Sequence, residues 1–456
     1  MTTRYLERSR IVAPPGWSRW LVPPAALSIH LTIGQAYAWS VFKKPLEASL
    51  GISGVASALP FTLGIVMLGA SAALFGTKVD AHGPRWAMVI SMCCFCSGFL
   101  ISALGVSIGQ YWLVVLGYGV VGGIGLGIGY ISPVSTLIAW FPDRPGLATG
   151  IAIMGFGGGA LIASPWSSSM LIAFGGTGAH PDPSGIATAF LIHGVVYAVF
   201  MSVGWLLIRV PAEDWKPDGW EPAAQPVSRL ISVGNVSARH AIRTSQFWLL
   251  WVVLCFNVTA GISILERAAP IYADFFPGGA GLTAAAAGFV AILSLANMLG
   301  RVVWSSTSDV LGRKAIYRMY LGAGALLYLV VTLTTNANKV MFLLCCMLIL
   351  SFYGAGFATV PAYLRDLFGT YQVGAIHGRL LTAWSTAGVL GPVIVNAIAD
   401  NRIAAGVTGP GRYTPSFSIM IGLLVIGFIC NELIRPVNPR FHEPASERVV
   451  GEVTAA

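Results

Sequence analysis

Charged residues are scarce in this sequence of 456 residues: 10% are Asp, Glu, Lys or Arg, whereas 55% are hydrophobic. A soluble globular protein carries about 25% charged residues, so this composition excludes that class and predicts a polytopic membrane protein. Cysteines are also few. The seven cysteines fall in apolar stretches without the spacing of a metal site, so we interpret them as small packing residues and expect no metal.

Two kinds of catalytic signature are missing as well. The phosphate-binding pattern Gly-x-x-x-x-Gly-Lys-[Ser/Thr] does not occur, which disfavours a pump driven by nucleotide hydrolysis. No nucleophile and base, and no cluster of metal ligands, can be assembled from the apolar stretches. We therefore expect neither an enzyme nor a cofactor.

Apolar stretches long enough to cross a bilayer as helices recur along the whole chain. We predict twelve, with ends uncertain by several residues: 20–42, 56–77, 86–107, 112–138, 147–171, 187–208, 246–272, 283–306, 315–335, 339–363, 374–399 and 414–434. The first lacks a small-residue cleavage site, so we expect it to stay as a membrane helix. The predicted fold class is an all-α membrane protein.

The basic residues are distributed unevenly between the loops. If the N-terminus lies in the cytoplasm, 20 of the 27 Lys and Arg fall on the cytoplasmic side and five in external loops. This asymmetry predicts a multi-pass protein of the cell inner (plasma) membrane with both termini in the cytoplasm. The net charge of +9 then reflects topology, and we expect no nucleic-acid partner.

One long polar interruption, residues 210–245, divides the chain. We interpret it as a cytoplasmic linker between an N-terminal six-helix half (1–209) and a C-terminal six-helix half (246–436), followed by a cytoplasmic tail (437–456). Repeated six-helix halves are typical of transporters in which one half rocks against the other around a site near the membrane midplane.

Two weak internal repeats support the division into halves. The loop after span 2 and the loop after span 8 share an aspartate, a glycine and basic residues: Gly76, Asp80, Gly83 and Arg85 in the first copy, Asp309, Gly312 and Arg313 in the second. A second repeat pairs Pro133, Phe141, Gly150 and Pro165 with Pro361, Phe368, Gly378 and Pro392. Neither a channel nor a membrane enzyme requires such duplication.

Arg301 lies inside span 8, at 283–306. A guanidinium is expensive in hydrocarbon and normally faces a water-filled cavity or an anion, so Arg301 predicts an anion site. The alternative is a structural arginine that pairs with Glu266 or extends toward the membrane surface. Asn297 lies one helical turn away on the same face; it either donates to the anion or joins helices.

The chain resembles the major facilitator superfamily over almost its whole length. The features that carry the resemblance are the loop signature 76–85, its partial copy at 305–313 and the two six-helix halves. Ser305 stands where that family has a glycine. Within the superfamily it resembles the oxalate/formate antiporter family and related bacterial lactate/pyruvate transporters, on QAYAWSVF at 35–42, WFPDRPGLATG at 140–150, Asn297-x-x-x-Arg301 and GFATVPAY at 356–363. The resemblance implies transport of small carboxylates, with the loop aspartates and arginines as a conformational latch.

One departure from the oxalate exchangers affects the expected substrate. Those proteins carry a lysine in span 11 that pairs with the arginine of span 8, and we place Trp384 at the lysine position. One fixed cation suits one carboxylate, since a second buried negative charge would stay uncompensated at several kcal/mol. We therefore favour a small organic monocarboxylate over oxalate.

The resemblance also implies that spans 4, 10 and 11 line the substrate cavity. Four aromatic residues of those spans are candidate wall residues, because a small organic anion needs apolar walls with a few polar groups. Gln35 and Tyr37 of span 1 are weaker candidates. The four aromatic candidates are Tyr130, Tyr353, Phe357 and Trp384.

Two residues are candidate carriers of a coupling proton. Glu266, beside Arg267 near the external end of span 7, can take up a proton if it is partly buried, or the pair simply marks the membrane surface. His30 lies near the middle of span 1 and titrates near neutrality, although a histidine bonded to a backbone carbonyl is the more common case.

The leading hypothesis is a secondary active transporter of monocarboxylates such as lactate, pyruvate or formate, working by alternating access and coupled to a proton. A counter-anion exchanger of the oxalate/formate type is the first alternative, but it needs a second cation near Arg301. A membrane sensor of carboxylates is the second, but it should carry a soluble output domain and the tail 437–456 is short.

Overall fold

All of the long elements are helices, arranged as two sets of six. A computed structural model describes residues 3–177, 181–212, 215–221, 230–232, 234–277, 282–334 and 338–444. The N-terminal half contains α1a (Val22–Ile33), α1b (Ser40–Leu50), α2 (Gly54–His82), α3 (Pro84–Ser107), α4 (Tyr111–Trp140), α5 (Pro145–Ala173) and α6 (Pro183–Leu207). The C-terminal half contains α7a (Ser245–Glu266), α7b (Ala268–Phe275), α8 (Leu282–Leu311), α9 (Arg313–Leu333), α10 (Lys339–Phe368), α11 (Val373–Ala404) and α12 (Thr414–Leu433). This confirms the predicted fold class.

The first span differs from the continuous helix predicted over 20–42. The 3-10 segment Gly34–Ala38 interrupts it, and α1b continues to Leu50. Within the described residues, eleven other helices are long and apolar enough to cross a membrane. The break lies where the chain crosses α5: a methyl group on Gly34 would lie 2.5 Å from the carbonyl oxygen of Phe156. Such a close approach needs glycine.

Polar residues immediately before several helices explain where those helices begin. Asp182 accepts a hydrogen bond from the amide of Ser184 and is followed by Pro183, a combination that favours a helix start. Thr244 accepts from the amide of Phe247 at the start of α7a, and Asn338 from the first amides of α10. These side chains satisfy amides that a helix leaves unpaired at its first turn.

The predicted linker and tail are only partly described. Residues 213–214, 222–229 and 233 of the linker and 445–456 of the tail lie outside the described residues. At the end of the linker, the amide of Ser232 donates to the carbonyl of Asp366 and that of Val236 to the carbonyl of Phe368. The amide of Ala13 donates to the carbonyl of Val210, after the end of α6, and the amide of Glu443 donates to the carbonyl of Asn235 in the linker. Residues 3–21 and 434–444 therefore lie on the same side of the helices, which we call the terminal face.

The two halves are in close contact next to the terminal face. α2 packs on α11, where a methyl group on Gly76 would lie 2.8 Å from the Cα atom of Ala375. α5 packs on α8, where a methyl group on Gly150 would lie 2.7 Å from the carbonyl oxygen of Arg301. The terminal face is therefore closed, and glycines permit the contact.

Candidate functional site

Arg301 is fully buried in the middle of the molecule, although it carries a charge. Its Nε donates to the Oδ1 atom of Asn297 at 3.2 Å, and its Nη1 donates to the carbonyl oxygen of Ile153, on α5 of the other half, at 3.1 Å. The side chain therefore neither extends to the surface nor pairs with Glu266, which is exposed at the end of α7a. Asn297 holds the guanidinium in position through its own acceptor.

The glycine run of α5 makes room for this arginine. A methyl group on Gly157 would lie 2.7 Å from Nε of Arg301 and 3.1 Å from Cζ. Because real Cβ atoms do not come so close to a neighbour, a larger residue at this position displaces the guanidinium. Gly157 thus fixes how deeply Arg301 projects between the two halves.

Aromatic rings from both halves surround Arg301. Its Cζ lies 5.6 Å from the ring centre of Phe357, within range of a cation–π interaction. Trp384 packs against Phe357 at 4.5 Å and against Tyr130 at 5.4 Å between ring centres. The ring of Phe156 also packs against Trp384. We call Arg301, Tyr130, Phe156, Phe357 and Trp384 the aromatic site.

Three buried donors of the aromatic site have no hydrogen-bond partner among the described residues. They are Nη2 of Arg301, the hydroxyl of Tyr130 and Nε1 of Trp384. Guanidinium and indole nitrogens can only donate, so the site is rich in donors and short of acceptors. An unsatisfied buried donor costs about 1 to 3 kcal/mol, and a ligand with acceptor oxygens removes that penalty.

Gln35 and Tyr37, the two predicted site residues of span 1, have different neighbours. The hydroxyl of Tyr37 lies 3.4 Å from that of Tyr353 across the two halves, and its ring packs on Phe156 at 5.1 Å. Gln35 is buried but faces Tyr118, whose hydroxyl donates to its Oε1 at 3.0 Å. Tyr37 and Tyr353 therefore border the aromatic site, whereas Gln35 is directed toward α4.

The two candidate proton carriers also lie in different environments. Glu266 is exposed at the far end of α7a and is not brought to Arg301. His30 is fully buried, with its ring centre 5.3 Å from that of Tyr130. Only His30 borders the aromatic site.

The loop aspartates bind helix starts of the opposite half. Asp80, at the end of α2, accepts a hydrogen bond from the amide of Ala375 at 2.8 Å, at the start of α11. Asp309, at the end of α8, accepts from the amides of Gly146 and Leu147 at 2.8 and 2.9 Å, at the start of α5. Negative charge is favourable at a helix start, so two similar contacts join the halves at the terminal face.

The other loop residues support these contacts. Arg313 pairs with Asp309 at 2.6 Å and with Asp366 at 3.2 Å, whereas Arg85 donates to backbone carbonyls at the end of α6 and so serves its own half. Gly83 and Gly312 have φ angles of 90° and 84°, a left-handed conformation that favours glycine.

The serine that replaces the expected glycine of the second loop copy is accommodated by the opposite helix. Ser305 faces Gly146 and Gly150 of α5, and its hydroxyl donates to the carbonyl of Arg301. In the first copy the glycine at the close contact is Gly76 of α2. In the second copy the glycines are on α5, at Gly146 and Gly150, opposite Ser305 of α8. The close contact between helices is thus kept.

Phe156 and His377 lie beside Tyr130 but were not predicted from the sequence. The ring centre of Phe156 lies 5.3 Å from that of Trp384 and 5.4 Å from that of Tyr130. An aromatic residue within the glycine run 155–159 is a signal that could have identified it. His377 is buried near the start of α11, 5.9 Å from the ring of Tyr130, and no comparable pattern points to it.

Comparisons with known proteins agree with this architecture. Residues 25–392 match the Major Facilitator Superfamily. The chain is 27% identical to the oxalate:formate antiporter of Oxalobacter formigenes over 84% of this chain and 86% of that protein. It is also 27% identical to apicoplast pyruvate carrier 1 of Toxoplasma gondii, over 59% of this chain and 56% of that protein.

Solved structures show the same fold. The fucose:proton symporter of E. coli aligns with a TM-score of 0.64 at 15% identity, covering 91% of this chain and 99% of that one. A match of the family over most of the chain, together with the helical architecture, identifies a membrane transporter and not an enzyme. The chain belongs to the major facilitator superfamily.

Proposed function

We propose that this transporter carries small monocarboxylates, of the lactate, pyruvate or formate type, with a proton and by alternating access. The observation that carries the proposal is the group of three unpartnered donors around Arg301. A carboxylate supplies the acceptor oxygens that these donors lack, and it can bind a guanidinium through two parallel hydrogen bonds.

The charge of the site favours one carboxylate over two. Within the described part of the chain, Arg301 is the cation whose charge interacts with the phenol groups of Tyr37, Tyr130 and Tyr353. Trp384 fills the position at which the resemblance places a second cation, and it is fully buried against Phe357. A dianion would leave one negative charge uncompensated in this apolar site.

The position of Arg301 between the halves suits alternating access. We propose that residues 1–209 and 246–436 rock against each other, with Asp80 and Asp309 releasing the starts of α11 and α5 when the terminal face opens. From the distribution of basic residues, we propose that this face lies in the cytoplasm and that the protein occupies the cell inner membrane.

Exchange of anions is the second candidate function, favoured by the similarity to an oxalate:formate antiporter. The similarity to a pyruvate carrier favours a monocarboxylate. In an exchanger the return step requires a bound anion, whereas in a symporter the proton balances the charge of the anion. The two mechanisms therefore differ in their need for an internal anion.

Uptake of labelled acids by the purified protein in liposomes tests the proposal. We expect saturable uptake of pyruvate or lactate that increases when the outside is more acidic than the inside. Oxalate transported better than either acid would contradict the assignment of one cation to one carboxylate. Uptake that ignores the proton gradient and needs an internal anion would replace symport by exchange.

A further inference from the structure

His30 faces two hydrogen-bond acceptors at once. Its Nδ1 lies 2.5 Å from the carbonyl oxygen of Ala152 on α5, and its Nε2 lies 3.0 Å from the carbonyl oxygen of Tyr130 on α4. A neutral imidazole has one N–H group and one lone pair, and a carbonyl oxygen can only accept. The neutral ring therefore leaves a lone pair against an oxygen, whereas the imidazolium donates to both.

A second buried histidine shows that this arrangement is not general in the fold. Nδ1 of His193 lies 2.6 Å from the carbonyl oxygen of Ala189, but its Nε2 lies 2.8 Å from the hydroxyl of Ser167. A hydroxyl can donate, so the neutral ring of His193 is fully satisfied by one donated and one accepted hydrogen bond. His193 is equally buried and provides a matched control.

His30 is linked to Arg301 through α5. Consecutive carbonyl groups of that helix face the two side chains: Ala152 faces His30, and Ile153 accepts from Arg301. The titratable or charged groups that face His30 from neighbouring helices are Arg301 on α8, Tyr130 on α4 and His377 on α11. A second cation beside an unneutralised guanidinium is unfavourable, whereas a carboxylate bound to Arg301 removes that repulsion.

We propose that His30 carries the coupling proton, and that binding of the carboxylate to Arg301 permits the imidazole to become an imidazolium. This inference rests on the proposed function and adds the coupling group. The proton comes from the solution on the side of the membrane from which the anion enters, and it binds the unprotonated ring nitrogen of His30. Proton and anion then leave together on the other side. The loaded site holds two cations and one anion, so it has the same net charge as the empty site with neutral His30.

Coupling of this kind is reciprocal. If the carboxylate favours protonation of His30, protonation of His30 must raise the affinity for the carboxylate by the same factor. Proton uptake on pyruvate binding is therefore the direct signature. It can be measured in weakly buffered detergent solution with the full chain, using a pH indicator.

The test compares wild type, His30→Gln and His193→Gln. We expect uptake of about one proton per bound pyruvate in wild type and His193→Gln, and none in His30→Gln. Proton uptake that persists in His30→Gln, or that disappears in both variants, would overturn the inference. Pyruvate binding without proton uptake in wild type would overturn it while leaving carboxylate transport intact, whereas no pyruvate or lactate binding at all would instead contradict the proposed function.

A second measurement does not depend on the folding of His30→Gln. Nitrogen-15 NMR of labelled histidines distinguishes imidazolium from neutral rings. We expect pyruvate to convert one ring to imidazolium in wild type and in His193→Gln. Loss of that signal in His193→Gln, or no conversion in wild type, would contradict the assignment to His30.

Discussion

Nη1 of Arg301, on α8, donates a hydrogen bond to the carbonyl oxygen of Ile153 on α5, so the buried guanidinium is joined to the opposite half of the transporter. The other two guanidinium nitrogens differ in their hydrogen-bond partners. Nε is held by Asn297 within the same helix, and Nη2 has no partner among the described residues. Nη2 therefore has donor capacity left for a ligand, in a site that both halves build and in which Tyr37 also interacts with the guanidinium.

Gly157→Ala should impair transport by displacing Arg301. The added methyl group would lie 2.7 Å from Nε, whereas in Gly158→Ala it would meet the sulfur of Met298, the flexible end of a side chain. A displacement of about 1 Å in a binding site can lower efficiency about 100-fold. Kinetics of pyruvate uptake should show a large loss of Vmax/KM in Gly157→Ala and a small one in Gly158→Ala. Equal effects would contradict the role of Gly157.

Tyr130→Phe should weaken substrate binding without destabilising the fold. Its hydroxyl has no partner within the described residues, whereas the hydroxyl of Tyr317 donates to the carbonyl of Gly356 at 2.6 Å. A hydrogen bond to a charged group contributes about 1.5 to 3 kcal/mol, so we expect affinity for pyruvate to fall about 10- to 100-fold.

Tyr317→Phe is the control for that substitution. It should lower the melting temperature and leave affinity for pyruvate nearly unchanged, because its hydroxyl is occupied within the protein. Thermal unfolding and equilibrium binding measure the two effects separately. A Tyr130→Phe protein with wild-type affinity would remove Tyr130 from the site.

Trp384→Lys should change the preference of the site toward dianions. The substitution places a second cation beside Phe357 and Arg301, where a second carboxylate can be compensated. We expect oxalate to compete with labelled pyruvate at least about tenfold better than it does in wild type, a change of about 1.4 kcal/mol. Trp384→Phe keeps the apolar wall and should not produce this gain.

Asp309→Ala should loosen the terminal face. The amides of Gly146 and Leu147 lose a charged acceptor, and each such hydrogen bond contributes about 1.5 to 3 kcal/mol. Hydrogen–deuterium exchange at the start of α5 should become faster. Asp182→Ala removes a similar cap from α6 within one half, and should leave exchange at the start of α5 unchanged.

The sequence predicted the helices better than the site. Twelve spans were predicted from hydrophobic length, because crossing a bilayer requires about 20 apolar residues, and eleven of them match long apolar helices among the described residues. The break at Gly34–Ala38 was not predicted, since it arises from close packing against Phe156 of a helix more than 100 residues away. A local sequence pattern cannot predict a contact between residues so far apart in the chain.

Within the site, the residues that carry charge or stand at a family position were predicted, and those defined by packing were not. An arginine is unusual within an apolar stretch, so Arg301 could be predicted as a site residue from the sequence. Phe156 and His377 are ordinary residues that the fold brings to Tyr130, and the role of His30 depends on which carbonyls its nitrogens face. Gln35 was predicted at the site, yet it bonds to Tyr118.

Equilibrium binding of labelled pyruvate to wild type and Arg301→Lys tests the central claim most directly. An ammonium keeps the positive charge but cannot hold a carboxylate with a planar pair of N–H groups. We predict saturable binding in wild type, with pyruvate preferred over oxalate, and loss of binding in an Arg301→Lys protein that remains folded. Wild-type affinity in Arg301→Lys would contradict the account.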